Sequence, residues 1–187
     1  YKGWLLISRK LKKLGVKIIS ITGGEPLLKK DIIDIIKLFS LDFFVFLNTN
    51  GTLINEEMAE KLKNSGLHTI SISLDSLTNK HDEQRGVPGT LNKVFKAINL
   101  FADSKINLDI KAVLTKINEN EIEHLIEFAK NNGIKIGFNF YTETMSKENP
   151  NLSLSSPLKT IKKLLQLKRK YRNTIISTYY YFKKAQD

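Results

Sequence analysis

No cysteine occurs anywhere in the 187 residues, which excludes disulfides and thiolate metal sites built from these residues. Histidine is sparse and scattered: His68, His81 and His124 form no ligand-spaced pair. No apolar run approaches the roughly 18 to 20 residues that cross a bilayer, so no transmembrane segment is expected. The opening YKGWLLISRKLKKLG spreads its charges and has no small-residue cleavage site, so no secretory leader is expected either. It starts on Tyr1 rather than Met, as a fragment or processed chain would. Arginine is thin through the middle, where Arg85 is the only one between Arg9 and Arg169. Acid is nearly absent from the C-terminal stretch: residues 151–187 carry nine Lys/Arg and one Asp, while the remaining 150 carry 21 basic and 18 acidic groups. The net charge of +11 is therefore a property of one segment. There Leu158, Ile161, Leu164, Leu165 and Leu167 keep an apolar stripe opposite the lysines, so a solvated helix face is expected. Tyr171 and Tyr179 to Phe182 trail the charges instead of interleaving with them, and nucleic acid is not expected as a partner.

What is present is ordinary globular composition, 41% hydrophobic and 26% charged, enough for one core. Three stretches share a form: LGVKIIS at 14–20, SGLHTIS at 65–71 and NGIKIGF at 132–138. Each sets a helix-ending glycine before a short β-branched run that reads as a buried strand. Helix, glycine, strand, repeated, is the punctuation of a parallel α/β fold. Apolar spacing supplies the helices. Ile32, Ile35, Ile36 and Phe39 share a face; Asn55 caps a helix with Glu56 and Glu57 in its first turn; Val94, Phe95, Ile98 and Phe101 mark another; Ile122, Leu125, Ile126 and Ala129 mark a fourth that stops at Gly133. The strands expected between them are KIISI, FFVFL, TISISL, LDIKAVL and IKIGFNF.

The strand ends carry GGEP (23–26), NTNG (48–51), SLDS (73–76), LTKIN (114–118) and NFYTE (139–143). In a parallel βα array all strand C-termini lie on one face, where such folds place their ligands. Gly23 and Gly24 bare the backbone, Glu25 adds a carboxylate suited to an ammonium, and Pro26 is pre-set to turn. A tight turn capped by an acid explains the same four residues equally well. Thr49, Asn50 and Gly51 offer a hydroxyl and an amide, but Asn-Gly is also a common turn pair. Ser73 and Asp75 suit sugar hydroxyls or an amine, or a neighbouring loop. Arg85 can grip a carboxylate, or pair with nearby Asp82 and Glu83. An amino-acid-bearing nucleoside would satisfy the whole set.

GGEP, NTNG, SLDS and HDxxRGxxG, in this order and each at a strand tip, resemble the radical S-adenosylmethionine enzymes. The likeness covers roughly residues 3–145 and lies nearest the branch with the molybdenum-cofactor cyclase, sulfatase maturases, peptide-modifying enzymes and hopanoid-adenosylating enzymes. It implies an α/β fold: an incomplete parallel (β/α)6 TIM-like barrel lacking its first strand, over residues 1–145, with 146–187 a basic helical segment leading toward a further domain. It implies that Gly23, Gly24 and Glu25, with Pro26, meet the amino group of S-adenosylmethionine. Thr49 and Ser73 would line its methionine and ribose, with Asn50 and Asp75 nearby. Arg85 would hold its carboxylate, and Val113 or Leu114 would pack on adenine. A reduced [4Fe-4S] cluster in that family splits the cofactor, and the 5′-deoxyadenosyl radical abstracts hydrogen from, or adds to, a substrate. A peptide, a cofactor precursor or a lipid are the substrates in view. An electron donor such as ferredoxin or flavodoxin and an oxygen-poor cytoplasm are implied as well.

The departure is the family's CxxxCxxC loop, which normally ligates the cluster. It is expected upstream of Tyr1, so the chain as given is expected to be inactive alone, though the complete protein is an enzyme on this reading. The alternative is a cluster-free nucleoside-binding or scaffold protein on the same fold.

Overall fold

The computed structural model describes residues 2–141 and 152–185. In chain order the elements are α1 (Lys2–Lys13), β1 (Ile18–Ile21), a 3-10 turn (Pro26–Leu28), α2 (Ile32–Ser40), β2 (Phe44–Thr49), α3 (Glu56–Lys63), β3 (Thr69–Ser73), α4 (Lys80–Arg85), α5 (Thr90–Phe101), β4 (Asn107–Leu114), a second 3-10 turn (Glu119–Glu121), α6 (Ile122–Asn131), β5 (Lys135–Phe140), α7 (Pro157–Lys170) and α8 (Tyr179–Lys184). The strands follow one another in a five-stranded sheet in the order β1-β2-β3-β4-β5. All five expected strands are present, in the α/β class that the alternation of strand and helix predicts. The end of NFYTE, Thr142 and Glu143, and the expected boundary at 145/146 lie outside the described residues.

The chain divides into two compact units, the first comprising Tyr1–Ser73 and Asn92–Leu108. Here β1, β2 and β3 run parallel, with Ile18 opposite Phe44 and Asn48 opposite Ser71. Because side chains alternate along a strand, Val45, Leu47, Ile70 and Ile72 share one face, and all four are fully buried. Helix residues Ile36, Leu62, Val94 and Ala97 are equally inaccessible. Burying each large aliphatic contributes about 1.5–3 kcal/mol, so this layer is the unit's main source of stability. Ile32, Ile35, Ile36 and Phe39 of α2 are buried as their spacing predicts. The Asn55 side chain caps α3 by accepting from the Met58 amide at 2.8 Å. Gly51 is required twice over. Its φ is +79°, and a Cβ there would stand 2.8 Å from a methyl of Ile72.

The second unit comprises Leu74–Leu91 and Asp109–Asp187. β4 and β5 pair in parallel from Asp109 opposite Lys135 to Leu114 opposite Phe140. Ile122, Leu125, Ile126 and Ala129 of α6 are fully buried. The turn after α7 runs beside β5 through a single parallel bridge between Ile136 and Ile175. On α7 the buried stripe is Thr160, Ile161, Leu164 and Leu167. Leu158 is 55% exposed, contrary to the expected stripe, because Thr160 begins the buried face in its place. Lys168 is not a solvated cation either. Its ammonium donates to the Arg172 and Ile175 carbonyls in the turn that follows the helix, and burial holds its pKa below the ordinary value. No helix among the described residues is long and apolar enough to cross a membrane.

Candidate functional site

In the first unit the strand ends of β1 and β2 are tied together by one carboxylate. Glu25 Oε1 accepts from the Leu27 amide at 3.0 Å and from the Thr49 hydroxyl at 2.7 Å, while Oε2 accepts from the Asn50 amide at 2.7 Å. A carboxylate has about four acceptor positions, so the protein's own donors take most of them. Glu25 therefore builds the turn, capping the 3-10 helix that opens at Pro26. Thr49 is 4% exposed, and its oxygen also accepts from the Gly51 amide at 3.1 Å. Asn50 likewise serves its own loop, its Oδ1 accepting from the Thr52 amide and hydroxyl at 2.9 and 2.7 Å.

What faces outward here is backbone. A Cβ built on Gly23 or Gly24 would meet nothing within 4 Å, and Gly23 has φ +155°. A ligand can thus reach the peptide groups of this turn without displacing a side chain. Ser73, at the end of β3, is half-buried, and its hydroxyl has no hydrogen-bond partner among the described residues.

In the second unit a fully buried aspartate organises the predicted residues. Asp75 Oδ2 accepts from Arg85 Nε at 2.6 Å, and Oδ1 accepts from the Val113 amide at 2.8 Å. Asp75, not Asp82 or Glu83, is the arginine's partner. Asp82 is spent on its own loop, accepting from the Thr90 hydroxyl and Leu91 amide at 2.7 Å, and these bonds hold its pKa low. The terminal nitrogens of Arg85 make no hydrogen bond among the described residues, which leaves the fork open to a carboxylate.

A cavity of about 160 Å³ opens beside this pair, lined by Asp75, Gln84, Arg85, Val113, Thr115, Tyr141 and Leu152. Val113 therefore lines it, whereas Leu114 is fully buried behind the strand.

Sequence reasoning missed the residues that hold these in place. Asn118 donates to the Asp75 and Val113 carbonyls at 2.7 and 2.9 Å and accepts from the Thr115 amide at 2.9 Å. Gln84 donates to the Val113 carbonyl at 2.9 Å and accepts from the Thr115 hydroxyl at 2.8 Å. The signal for Asn118 was its place three residues after Thr115, a spacing at which Asn commonly closes a loop on itself. Glu121, nearly buried, accepts from Ser76 and pairs with Lys80 at 3.0 Å. Burial alone would raise its carboxyl, but the Ser76 hydroxyl and Lys80 ammonium outweigh that and hold it below the ordinary value.

His81 accepts the Asp75 amide on Nδ1 at 3.2 Å, which makes it a neutral imidazole protonated at Nε2. Burial pushes its pKa down; the Asp75 charge opposes this and Arg85 adds to it. No cluster of three or more metal-binding side chains occurs among the described residues. Without cysteine, nothing in this chain can hold an iron–sulfur cluster on thiolates.

The profile of the Radical SAM superfamily matches residues 5–129. The GTP 3',8-cyclase of Campylobacter jejuni subsp. doylei is 38% identical over 132 residues, 66% of this chain and 40% of that protein. The chain thus spans about two fifths of the length of the curated relatives it matches. The crystal structure of Streptococcus suis SuiB bound to S-adenosylmethionine is similar at a TM-score of 0.78 and 25% identity, over 95% of this chain and 44% of that one. SuiB bound to the precursor peptide SuiA gives 0.76 and 26%, over 91% and 38%.

Proposed function

The chain belongs to the radical S-adenosylmethionine superfamily, and from that premise we propose that it binds and orients S-adenosylmethionine for radical chemistry on an organic substrate. In the first unit the peptide groups of Gly23 and Gly24 receive the cofactor's ammonium, while Glu25 and Pro26 hold the turn that presents them. Thr49 and Asn50 fix the neighbouring strand end, and the hydroxyl of Ser73 meets the ribose. In the second unit Arg85, aimed by Asp75, takes the carboxylate. Val113 meets the adenine from the cavity wall, and Leu114 supports it from behind.

The observation that carries this reading is the Arg85 guanidinium, tied at Nε and without a hydrogen bond at its fork among the described residues, beside a cavity that Val113 lines. The open space over Gly23 and Gly24 supports it independently.

When bound beside a reduced [4Fe-4S] cluster, S-adenosylmethionine supplies a 5′-deoxyadenosyl radical. The cluster's ligands are not among these residues, so the part that falls to this chain is cofactor binding and orientation. The remaining proposals follow from the family: residues 1–145 as core and 146–187 as a helical extension, a ferredoxin- or flavodoxin-like electron donor, a cytoplasmic setting, and a peptide, cofactor precursor or lipid as substrate.

Calorimetric titration of the protein with S-adenosylmethionine tests the reading. Saturable binding that weakens in Arg85→Lys is the expected result. An absence of binding, or binding indifferent to Arg85, Gly24 and Ser73 substitutions alike, rejects it.

A further inference from the structure

At the N-terminal end of β5 the second unit gathers positive charge that cofactor binding at the strand ends does not use. The Ile136 amide donates to the Thr174 carbonyl at 2.8 Å, which lays the turn after α7 beside the start of the strand. There Lys130, Lys170, Tyr171, Arg172, Asn173 and Thr174 line an open cavity of about 490 Å³, within the ordinary size range of a small-molecule site. Tyr141, which lines the cavity beside Arg85, directly follows the last residue of β5. Five residues of extended strand, about 16 Å, therefore separate the two cavities along the sheet.

Tyr171 is the centre of the cluster. It is 8% exposed, and the ammonium groups of Lys170 and Lys130 stand 4.9 and 5.8 Å from its ring centroid. Arg172, next in the chain, adds a third charge. Like charges gathered on one ring repel one another unless an anion joins them, and no carboxylate lines the cavity. Glu123 is held by Lys163 at 2.8 Å. A side-chain hydrogen bond with Tyr171 is the main cause that raises the Lys170 pKa, and Glu123 and Glu127 contribute least.

Cations near helix C-termini often serve the terminal carbonyls. Here other donors do so. Lys168 takes the Arg172 and Ile175 carbonyls, and the Tyr171 amide takes that of Leu167. On α6 the Asn132 side chain takes the Phe128 carbonyl at 2.8 Å, and the Gly133 amide takes that of Lys130 at 3.2 Å. These carbonyls do not account for Lys130, Lys170 and Arg172.

Ammonium groups, a guanidinium fork, an amide and a hydroxyl together form a donor set for a compact, multiply charged oxyanion. We propose that this cavity binds a phosphate-type dianion, either free phosphate or the phosphomonoester of a larger molecule, at a second site remote from the strand-end rim.

The test follows amide NMR signals of the full chain at low salt while inorganic phosphate, glycerol phosphate or acetate is added. Expected are saturable shifts at Lys130, Asn173 and Thr174 with both phosphates, and binding of the monoanion acetate weaker by about tenfold or more. Either order of the two phosphates supports the site: tighter inorganic phosphate makes the free ion the ligand, tighter ester a phosphorylated molecule. Lys170→Gln with Arg172→Gln should weaken phosphate by about tenfold or more. Lys130→Gln, on a different helix, should weaken it as well, so the outcome does not hang on the folding of one variant. Lys159→Gln with Lys162→Gln removes two charges from α7 outside the cavity, and affinity should change by less than about twofold. Equal losses in the two double variants would mean diffuse attraction to a basic helix and overturn the proposal. So would acetate binding as tight as phosphate, or shifts that centre on Arg85 and vanish in Arg85→Lys.

Discussion

Arg85 Nε stands 2.6 Å from Oδ2 of Asp75, ten residues back in the chain, and the same carboxylate accepts the Val113 amide at 2.8 Å. One buried aspartate thus sets both the direction of the arginine fork and the position of the cavity wall. The arrangement makes Arg85 a fixed group rather than a mobile surface cation, and fixed groups lose less entropy on binding.

Arg85→Lys keeps the charge but removes the planar fork. S-adenosylmethionine affinity should fall about tenfold or more, read by calorimetric titration. An unchanged dissociation constant would remove Arg85 from the carboxylate site.

Glu25→Gln tests the clasp between the β1 and β2 ends. An amide cannot accept at both of its terminal atoms, so either the Asn50 amide or the pair formed by Thr49 and Leu27 loses its acceptor. Stability in urea unfolding should drop by about 1–3 kcal/mol. A variant as stable as the wild type would show that the carboxylate does not hold the turn.

Two glycines should respond in opposite ways. Gly24→Ala places its methyl in open space, so the melting temperature should hold while S-adenosylmethionine binding weakens. Gly51→Ala forces a side chain at φ +79° to within 2.8 Å of Ile72, and stability should fall by about 1–3 kcal/mol. Equal effects of the two on stability and binding would dissolve the distinction between a ligand-facing turn and a packed one.

His81 gives a pH signature. Its folded pKa lies below the ordinary 6.5, chiefly through burial, so the folded state favours the neutral ring. The unfolded state then binds more protons as pH falls below 6.5, and stability, full above that value, declines toward the folded pKa. His81→Asn keeps an acceptor for the Asp75 amide and cannot titrate. Thermal melts between about pH 5 and 7 should slope for the wild type and flatten for this variant. Identical slopes would place the acid sensitivity elsewhere.

Periodicity and punctuation made the strand and helix pattern legible: Ile32, Ile35, Ile36 and Phe39 are buried on one face of α2, and Asn55 caps α3 as its position before two glutamates suggests. Local chemistry also marked Gly23, Gly24, Thr49, Ser73, Asp75 and Arg85 for attention, while Val113 came only from the family resemblance. What those residues do was not legible. Glu25 read as an acceptor for a ligand, yet its oxygens meet Thr49 and Asn50 from the next strand. Arg85 had Asp82 and Glu83 beside it in sequence, and the fold paired it with Asp75.

Helical and strand periods are local and act within a few residues, so the sequence by itself determined the elements, their order and the residue types available at each strand end. Partnership depends on strand register and loop path, which join positions up to some 45 residues apart, as Ser76 and Glu121 are. Only the tertiary structure decided which donors Glu25 serves and which carboxylate holds Arg85, because each hydrogen bond is set by distances that no local period encodes.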